Sequence, residues 1–112
     1  MEIRQISETY SVSPQITADD IAAIKAAGFK SVICNRPDGE QPGQPTAESI
    51  RQAAENAGLD FRYIPVVSGA LTPEKVAAMA AALKEVQTPV LAYCRSGARS
   101  TNLYALLQET AK

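Results

Sequence analysis

The sequence alternates short apolar runs, rich in β-branched and aromatic residues, with longer stretches of helical periodicity. Strands that alternate with helices are expected to form a parallel sheet covered by helices on both faces. We therefore expect one α/β domain over residues 1–112, with three α/β/α layers and a four-stranded, mainly parallel sheet. The predicted strands are Tyr10–Ser13, Phe29–Cys34, Phe61–Val67 and Val90–Cys94.

The predicted helices begin and end at residues with capping chemistry. Thr17, Thr46 and Thr72 each precede a stretch with helical spacing, and a threonine hydroxyl can accept a hydrogen bond from a free N–H group of the first turn. Gly28 and Gly58 follow the first two of these stretches, where a helix commonly ends. A fourth helix is expected to follow the strand that ends at Cys94.

Composition excludes several classes of function. The 112 residues include two cysteines and no histidine, so a Ser-His-Asp triad and histidine-ligated metals are impossible. Two cysteines cannot complete a Cys₄ zinc site, and we expect neither a metal nor a cofactor. The net charge of −1 argues against nucleic acid or membrane as partner. Without a signal-peptide pattern or an apolar run of about 18 residues, we expect a cytoplasmic protein.

The segment Cys94–Ser100, with the sequence CRSGARS, lies between a predicted buried strand and a predicted helix. Such a junction directs consecutive backbone N–H groups at one point and so forms an anion site. A cysteine there is stabilised as the thiolate, which is the reactive form. We predict that Cys94 is the catalytic nucleophile and that Arg99 holds an anion bidentately.

The other residues of this loop are predicted to bind substrate. Gly97 can adopt a positive φ angle and let the backbone close around a ligand. Arg95 adds a second positive charge at the rim, and the Ser100 hydroxyl is a candidate donor to the sulfur. The remaining predicted substrate-binding residues of the loop are Ser96 and Ala98.

The loop looks like the active loop of single-domain rhodaneses, in which four residues separate the cysteine from the arginine. Cysteine phosphatases have five. The rest of the chain resembles a phosphatase-like domain family in two motifs, NRPDGE at Asn35–Glu40 and PVLAYCR at Pro89–Arg95. This resemblance implies a dual-specificity-phosphatase-like topology. It also implies a persulfide dioxygenase of metallo-β-lactamase fold as partner, fused or separate, because the family occurs alone or ahead of such an enzyme.

Members of that family are described both as phosphatases and as sulfurtransferases. The first hypothesis is sulfur transfer from thiosulfate or a low-molecular-weight persulfide through a Cys94 persulfide to a thiol acceptor. It is favoured by the short loop and by residues 66–71, which lack the carboxylic acid that phosphatases of this fold carry there. The alternative is a cysteine phosphatase with a Cys94 phosphocysteine. The third hypothesis is a module that binds anions without catalysis.

Four residues outside the loop are further candidates, each with two interpretations. Asp38 and Glu40 could supply the acid or position substrate if their segment folds over the pocket, but Asp38 also fits a simple turn. Arg36 could bind an anionic substrate or a carboxylate of its own segment. The resemblance places the strand ending at Cys34 beside the one ending at Cys94, so Cys34 is either a redox partner or a packing residue.

Overall fold

The computed structural model describes residues 2–110 as an α/β fold of five strands and four helices. The strands are β1 (Arg4–Gln5), β2 (Tyr10–Ser13), β3 (Ser31–Cys34), β4 (Asp60–Tyr63) and β5 (Val90–Tyr93). The helices are α1 (Ile21–Ala26, after a 3₁₀ turn at Ala18–Asp20), α2 (Ala47–Asn56), α3 (Pro73–Glu85) and α4 (Ala98–Thr110).

The sheet has the strand order β1-β2-β5-β3-β4, and β5 lies at its centre. The four predicted strands are present and pair in parallel, which confirms the expected architecture. The fifth strand, β1, pairs antiparallel with β2, so the sheet is mixed rather than four-stranded. Sequence patterns missed β1 because its two residues, Arg4 and Gln5, are exposed and polar and show no apolar alternation.

Hydrogen bonds at the helix starts explain where three of the helices begin. The hydroxyl oxygens of Thr46 and Thr72 accept from the N–H groups of Ser49 and Lys75, at 3.1 and 3.4 Å. Thr17 acts as a donor instead: its backbone N–H donates to the Asp20 carboxylate at 2.9 Å, and its hydroxyl donates to the same carboxylate at 3.3 Å. These contacts belong to the 3₁₀ turn, and α1 therefore begins only at Ile21.

Helices cover both faces of the sheet, and each face has its own apolar core. α3 and α4 pack on the face that carries Val12, Ile33 and Ala92, whereas α1 and α2 pack on the face that carries Val32 and Leu91. Alternate residues of each central strand therefore enter opposite cores, as the pleat of a strand requires. Within residues 2–110, no helix is both long and apolar enough to cross a membrane.

β4 ends at Tyr63, earlier than the predicted end at Val67. Pro65 interrupts the run because it has no N–H group to donate to a ladder. The chain stays attached to the sheet, since the N–H groups of Ile64 and Val66 donate to the carbonyls of Cys34 and Asn35, both at 2.9 Å. Val66 is thereby buried, while Val67 turns outward and is 61% exposed.

Val66 and Val67 provide a matched pair for testing this packing. Replacing Val66 with Ala should lower the free energy of unfolding by about 2 kcal/mol, because buried methyl groups are removed and a cavity remains. The same change at Val67 should alter it by less than about 0.5 kcal/mol. Urea unfolding followed by circular dichroism measures both values. Equal losses at the two positions would contradict the described core.

Candidate active site

The predicted loop Cys94–Ser100 lies at the carboxyl edge of the sheet, directly after the central strand β5. Hydrogen bonds hold both sides of the strand end: the Cys94 N–H donates to the Ser13 carbonyl at 3.4 Å, and the Asn35 N–H donates to the Tyr93 carbonyl at 2.8 Å. Neighbouring strands thus hold the start of the loop. Ligands of open α/β sheets bind in the crevice at this edge.

The Cys94 side chain is fully buried beneath the loop. The Gly97 N–H donates to its sulfur at 3.0 Å. Burial raises the pKa of the Cys94 thiol, but the backbone N–H groups of Ser100, Ser96, Arg99 and Gly97 outweigh burial and bring the pKa below the ordinary cysteine value. The loop therefore stabilises the thiolate form of Cys94.

Gly97 is required at the turn that brings the loop back towards the sulfur. Its φ angle is +95°, which side chains rarely permit. Space is also restricted there, because a Cβ atom on Gly97 would lie 2.9 Å from Nη2 of Arg4 and 3.5 Å from the Ser13 carbonyl oxygen. The predicted role of Gly97 in closing the loop is consistent with this geometry.

The rest of the loop forms its rim and the start of α4. The Arg95 side chain is exposed, and its carbonyl accepts from the Gln15 N–H at 3.3 Å. Ser96 and Ala98 are also exposed, and the Ala98 N–H donates to the Ser96 hydroxyl oxygen at 3.3 Å. Their side chains thus lie exposed at the border of the loop.

Arg99 and Arg36 share one carboxylate, that of Glu40. The two terminal nitrogens of Arg99 donate to the two Glu40 oxygens at 2.7 and 2.9 Å, and Arg99 also donates to the Val66 carbonyl at 2.8 Å. Arg36 donates through Nε to Glu40 at 2.9 Å. Both arginines are buried, so Glu40 supplies the negative charge that their burial requires. Of the two interpretations of Arg36, the structure shows the one in which it binds a carboxylate of its own segment.

The Arg99 guanidinium holds the pKa of Glu40 at about 2, with a smaller contribution from Arg36. Glu40 is therefore ionised at neutral pH and has no proton to donate to a leaving group. The segment that carries Glu40 does reach the loop, as one of our hypotheses requires, but it delivers a carboxylate that positions Arg99. The sequence did not predict that Glu40 positions Arg99, because the two residues are 59 positions apart and no local pattern indicates their contact.

Asp38 faces α2. Its Oδ1 accepts from the Ala47 N–H at 2.8 Å, in the first turn of that helix, and its own N–H donates to the Tyr63 hydroxyl at 3.0 Å. These contacts hold the segment between β3 and α2, and they favour the structural interpretation of Asp38 over an acid role.

The Ser100 hydroxyl donates to Asn35 Oδ1 at 2.8 Å rather than to the sulfur, so the predicted hydroxyl contact with Cys94 is wrong. The amide nitrogen of Asn35 in turn donates to the Ile64 carbonyl at 3.0 Å, and the Tyr10 hydroxyl donates to the Ser100 carbonyl at 2.7 Å. Asn35 and Tyr10 thus fix the start of α4 against the strands. We missed both residues, although Asn35 directly follows a predicted strand at the same sheet edge as Cys94.

Cys34 lies opposite Tyr93 in the pairing of β3 with β5, which confirms that its strand neighbours the one leading to Cys94. Its side chain belongs to the core formed with α1 and α2, and its thiol donates to the Arg36 carbonyl at 3.3 Å. Burial raises the pKa of the Cys34 thiol. Both cysteines are free thiols, and the packing interpretation of Cys34 fits this environment. Its redox role stays a prediction.

No group of three potential acidic, cysteine or histidine ligands lies together within residues 2–110. The chemistry that these residues offer is nucleophilic attack by a thiolate on the electrophilic atom of an anionic group whose oxygens are held by backbone N–H groups and Arg99.

Comparison with known protein families matches residues 2–111 to the phosphatase-like domain of beta-lactamase hydrolase-like proteins. The chain belongs to this family. A beta-lactamase hydrolase-like protein of Agrobacterium fabrum is 38% identical over 106 residues, which cover 95% of this chain and 25% of that protein. A Xylella fastidiosa protein with the same description is 36% identical over an equal span. The chain therefore spans about a quarter of the length of the curated relatives it matches.

Solved structures show the same relationship. A candidate phosphatase from Neisseria meningitidis superimposes with a TM-score of 0.85 at 37% identity, covering 93% of this chain and 74% of that one. A candidate phosphatase from Shewanella putrefaciens gives 0.77 at 25% identity, covering 95% and 66%. The catalytic domain of an S. cerevisiae PP-IP phosphatase shares the fold at 14% identity, with a TM-score of 0.63 and coverage of 85% and 56%. The phosphatase-like resemblance and the cysteine-phosphatase-like fold are thus confirmed, whereas the rhodanese resemblance receives no support.

Glu40→Gln should lower the free energy of unfolding by about 1–3 kcal/mol near neutral pH, because two buried arginines lose their counterion. The folded-state pKa of Glu40, about 2, lies below its ordinary value of 4.5, so its ionisation stabilises the fold above pH 4.5. That stabilisation disappears as the pH falls from 4.5 towards 2. Urea unfolding of both proteins at about pH 7 and about pH 2.5 should show the difference shrinking.

Glu85→Gln is the matched control, since Glu85 is 64% exposed and lies 3.9 Å from an exposed arginine. It should change the stability by less than about 0.5 kcal/mol at either pH. An effect of Glu40→Gln no larger than that of Glu85→Gln would contradict the charge network.

The two thiols should differ in reactivity. The alkylation rate of Cys94 by iodoacetamide should reach half its maximum at a pH below the ordinary cysteine pKa of 9.0, and that of Cys34 at a pH above it. Peptide mass spectrometry after timed quenching separates the two sites, because trypsin releases them on different peptides. A Cys94 midpoint at or above 9.0 would contradict thiolate stabilisation by the loop and would favour the non-catalytic hypothesis.

Proposed function

We propose that this chain is a cysteine-dependent phosphatase that acts on phosphate monoesters through a Cys94 phosphocysteine. The observation that carries the proposal is the position of the Cys94 sulfur, which lies beneath backbone N–H groups at the start of α4 with a lowered thiol pKa. Family membership and the cysteine-phosphatase-like fold support phosphate as the group transferred.

In the first step the Cys94 thiolate attacks phosphorus, a sulfur–phosphorus bond forms, and the bond from phosphorus to the ester oxygen breaks. The leaving oxygen takes the bond's electron pair. In the second step water attacks phosphorus and the sulfur–phosphorus bond breaks, with its electron pair returning to sulfur. The proton of water passes to the solvent, inorganic phosphate leaves, and the Cys94 thiolate is restored. Loop N–H groups and Arg99 are suited to stabilise the negative charge on the phosphoryl oxygens, and Glu40 keeps Arg99 oriented for this task.

The contacts of the two candidate acids support a preference for certain leaving groups. Glu40 is ionised, Asp38 is bonded to the N-terminus of α2, and residues 66–71 contain no carboxylate. Neither candidate acid is therefore arranged to protonate the departing oxygen. We infer that substrates with acidic leaving groups, such as aryl phosphates, are preferred over alkyl phosphates.

The same lack of an acid favours sulfur transfer as the second candidate function. Here the Cys94 thiolate attacks the outer sulfur of thiosulfate, the sulfur–sulfur bond breaks, and sulfite leaves with the electron pair. The cysteine persulfide then gives its outer sulfur to a thiol. This reaction needs little help from an acid, and it suits a loop with four residues between cysteine and arginine. The sulfur donors and acceptors and the persulfide dioxygenase partner stay predictions.

Phosphatase activity should depend steeply on the leaving group. A series of aryl phosphates with decreasing phenol pKa should show kcat/KM rising at least about tenfold for each two units, as expected for departure without an acid. The release of each phenol is followed by absorbance. In parallel, thiosulfate and cyanide test sulfur transfer through thiocyanate formation.

Cys94→Ser should abolish either activity, and Cys34→Ser is the matched control that should retain it. If thiosulfate is turned over far faster than every aryl phosphate, the second candidate function replaces the first. If neither substrate reacts while the protein is folded, the catalytic proposal is overturned and the anion-binding module remains.

A further inference from the structure

The N-terminal strand brings an arginine to the loop. β1 runs antiparallel to β2, with Arg4 opposite Val12, so Arg4 lies near the carboxyl edge of the sheet. Its Nη2 atom lies 2.9 Å from the position that a Cβ of Gly97 would take. Because the Gly97 N–H is 3.0 Å from the Cys94 sulfur, standard bond lengths place this guanidinium nitrogen within about 9 Å of the sulfur.

Arg4 is exposed and carries no ion pair with any of residues 2–110. Arg95, an exposed arginine that directly follows Cys94 in the loop, likewise has no ion pair with any of residues 2–110. The remaining four arginines each lie within 4.0 Å of a carboxylate; they are Arg36, Arg51, Arg62 and Arg99. Both arginines without an ion pair in the described part of the chain therefore flank the loop.

The charges below the rim balance once Cys94 is ionised, as its role as nucleophile requires. Arg36 and Arg99 then contribute two positive charges, and the Glu40 carboxylate and the Cys94 thiolate contribute two negative charges. An incoming anion finds no net positive charge among these four groups. The exposed guanidinium groups of Arg4 and Arg95 supply this positive charge, because opposite charges within about one Debye length still attract at physiological salt.

We propose that Arg4, together with Arg95, forms an anion-accepting rim that selects substrates with a second negative group besides the one bonded at Cys94. This inference rests on the proposed function only in assuming that the bound anion is a substrate. The rim would attract any small anion towards the sulfur. The class it favours is an aryl phosphate that also bears a carboxylate or a second phosphate. Arg4 acts here as a specificity-determining residue and takes no part in the reaction at Cys94.

The test uses two alkylating reagents that differ in charge, iodoacetate and iodoacetamide. Their second-order rate constants at Cys94 are measured by peptide mass spectrometry, which needs no enzymatic turnover. Arg4→Gln should lower the ratio of the iodoacetate rate to the iodoacetamide rate about two- to fivefold, with little change for iodoacetamide. Arg4→Lys should keep the ratio within about twofold of the unaltered protein, because the charge remains.

Arg62→Gln is the matched control, because Arg62 pairs with Glu85 at the end of α3, away from the loop. It should leave the ratio unchanged. About 1 M salt should remove the difference between Arg4→Gln and the unaltered protein, since the Debye length falls to roughly 3 Å. An unchanged ratio in Arg4→Gln, or an equal fall in Arg62→Gln, would overturn the proposal. A lowered ratio in a protein without turnover would sustain the rim and count against the proposed function alone.

Discussion

Two opposing effects on the Cys94 sulfur determine what this domain can do. Burial disfavours the thiolate, and the N–H groups at the start of α4 favour it more strongly. Those N–H groups converge only if Gly97 keeps its positive φ angle and α4 begins at the correct place on the sheet. Tyr10 and Asn35 secure that place by hydrogen bonds to Ser100 from two neighbouring strands, so the reactivity of the thiol depends on the packing of the whole sheet.

The anion site also depends on a carboxylate that neutralises two buried guanidinium groups, those of Arg36 and Arg99. Glu40 supplies this carboxylate through a segment that leaves β3 and returns to the loop. A carboxylate held this firmly as an anion orients Arg99 well and donates protons poorly, so the same interaction that prepares the anion site removes an acid from it. Because Glu40 is ionised and cannot protonate the leaving group, we propose that this domain prefers substrates whose leaving groups are acidic.

The sequence was sufficient for the parts of the structure that depend on neighbouring residues. The four parallel strands follow from local apolar runs, and the loop at Cys94–Ser100 follows from a strand that leads directly into a helix. Contacts between distant segments were not predictable in this way. The pairing of Glu40 with Arg99, the donation of Ser100 to Asn35, and the approach of Arg4 to Gly97 all depend on how the strands are ordered. A strand as short as β1 leaves no periodic pattern at all.

The central claim is that Cys94 is a nucleophile that carries the transferred group covalently. Intact mass spectrometry of the protein, quenched in acid during turnover of an aryl phosphate, tests it directly. The expected result is an added mass of one phosphoryl group, located by peptide mapping on Cys94 and missing in Cys94→Ser. Turnover with an adduct on another residue, or turnover that survives in Cys94→Ser, would contradict the claim.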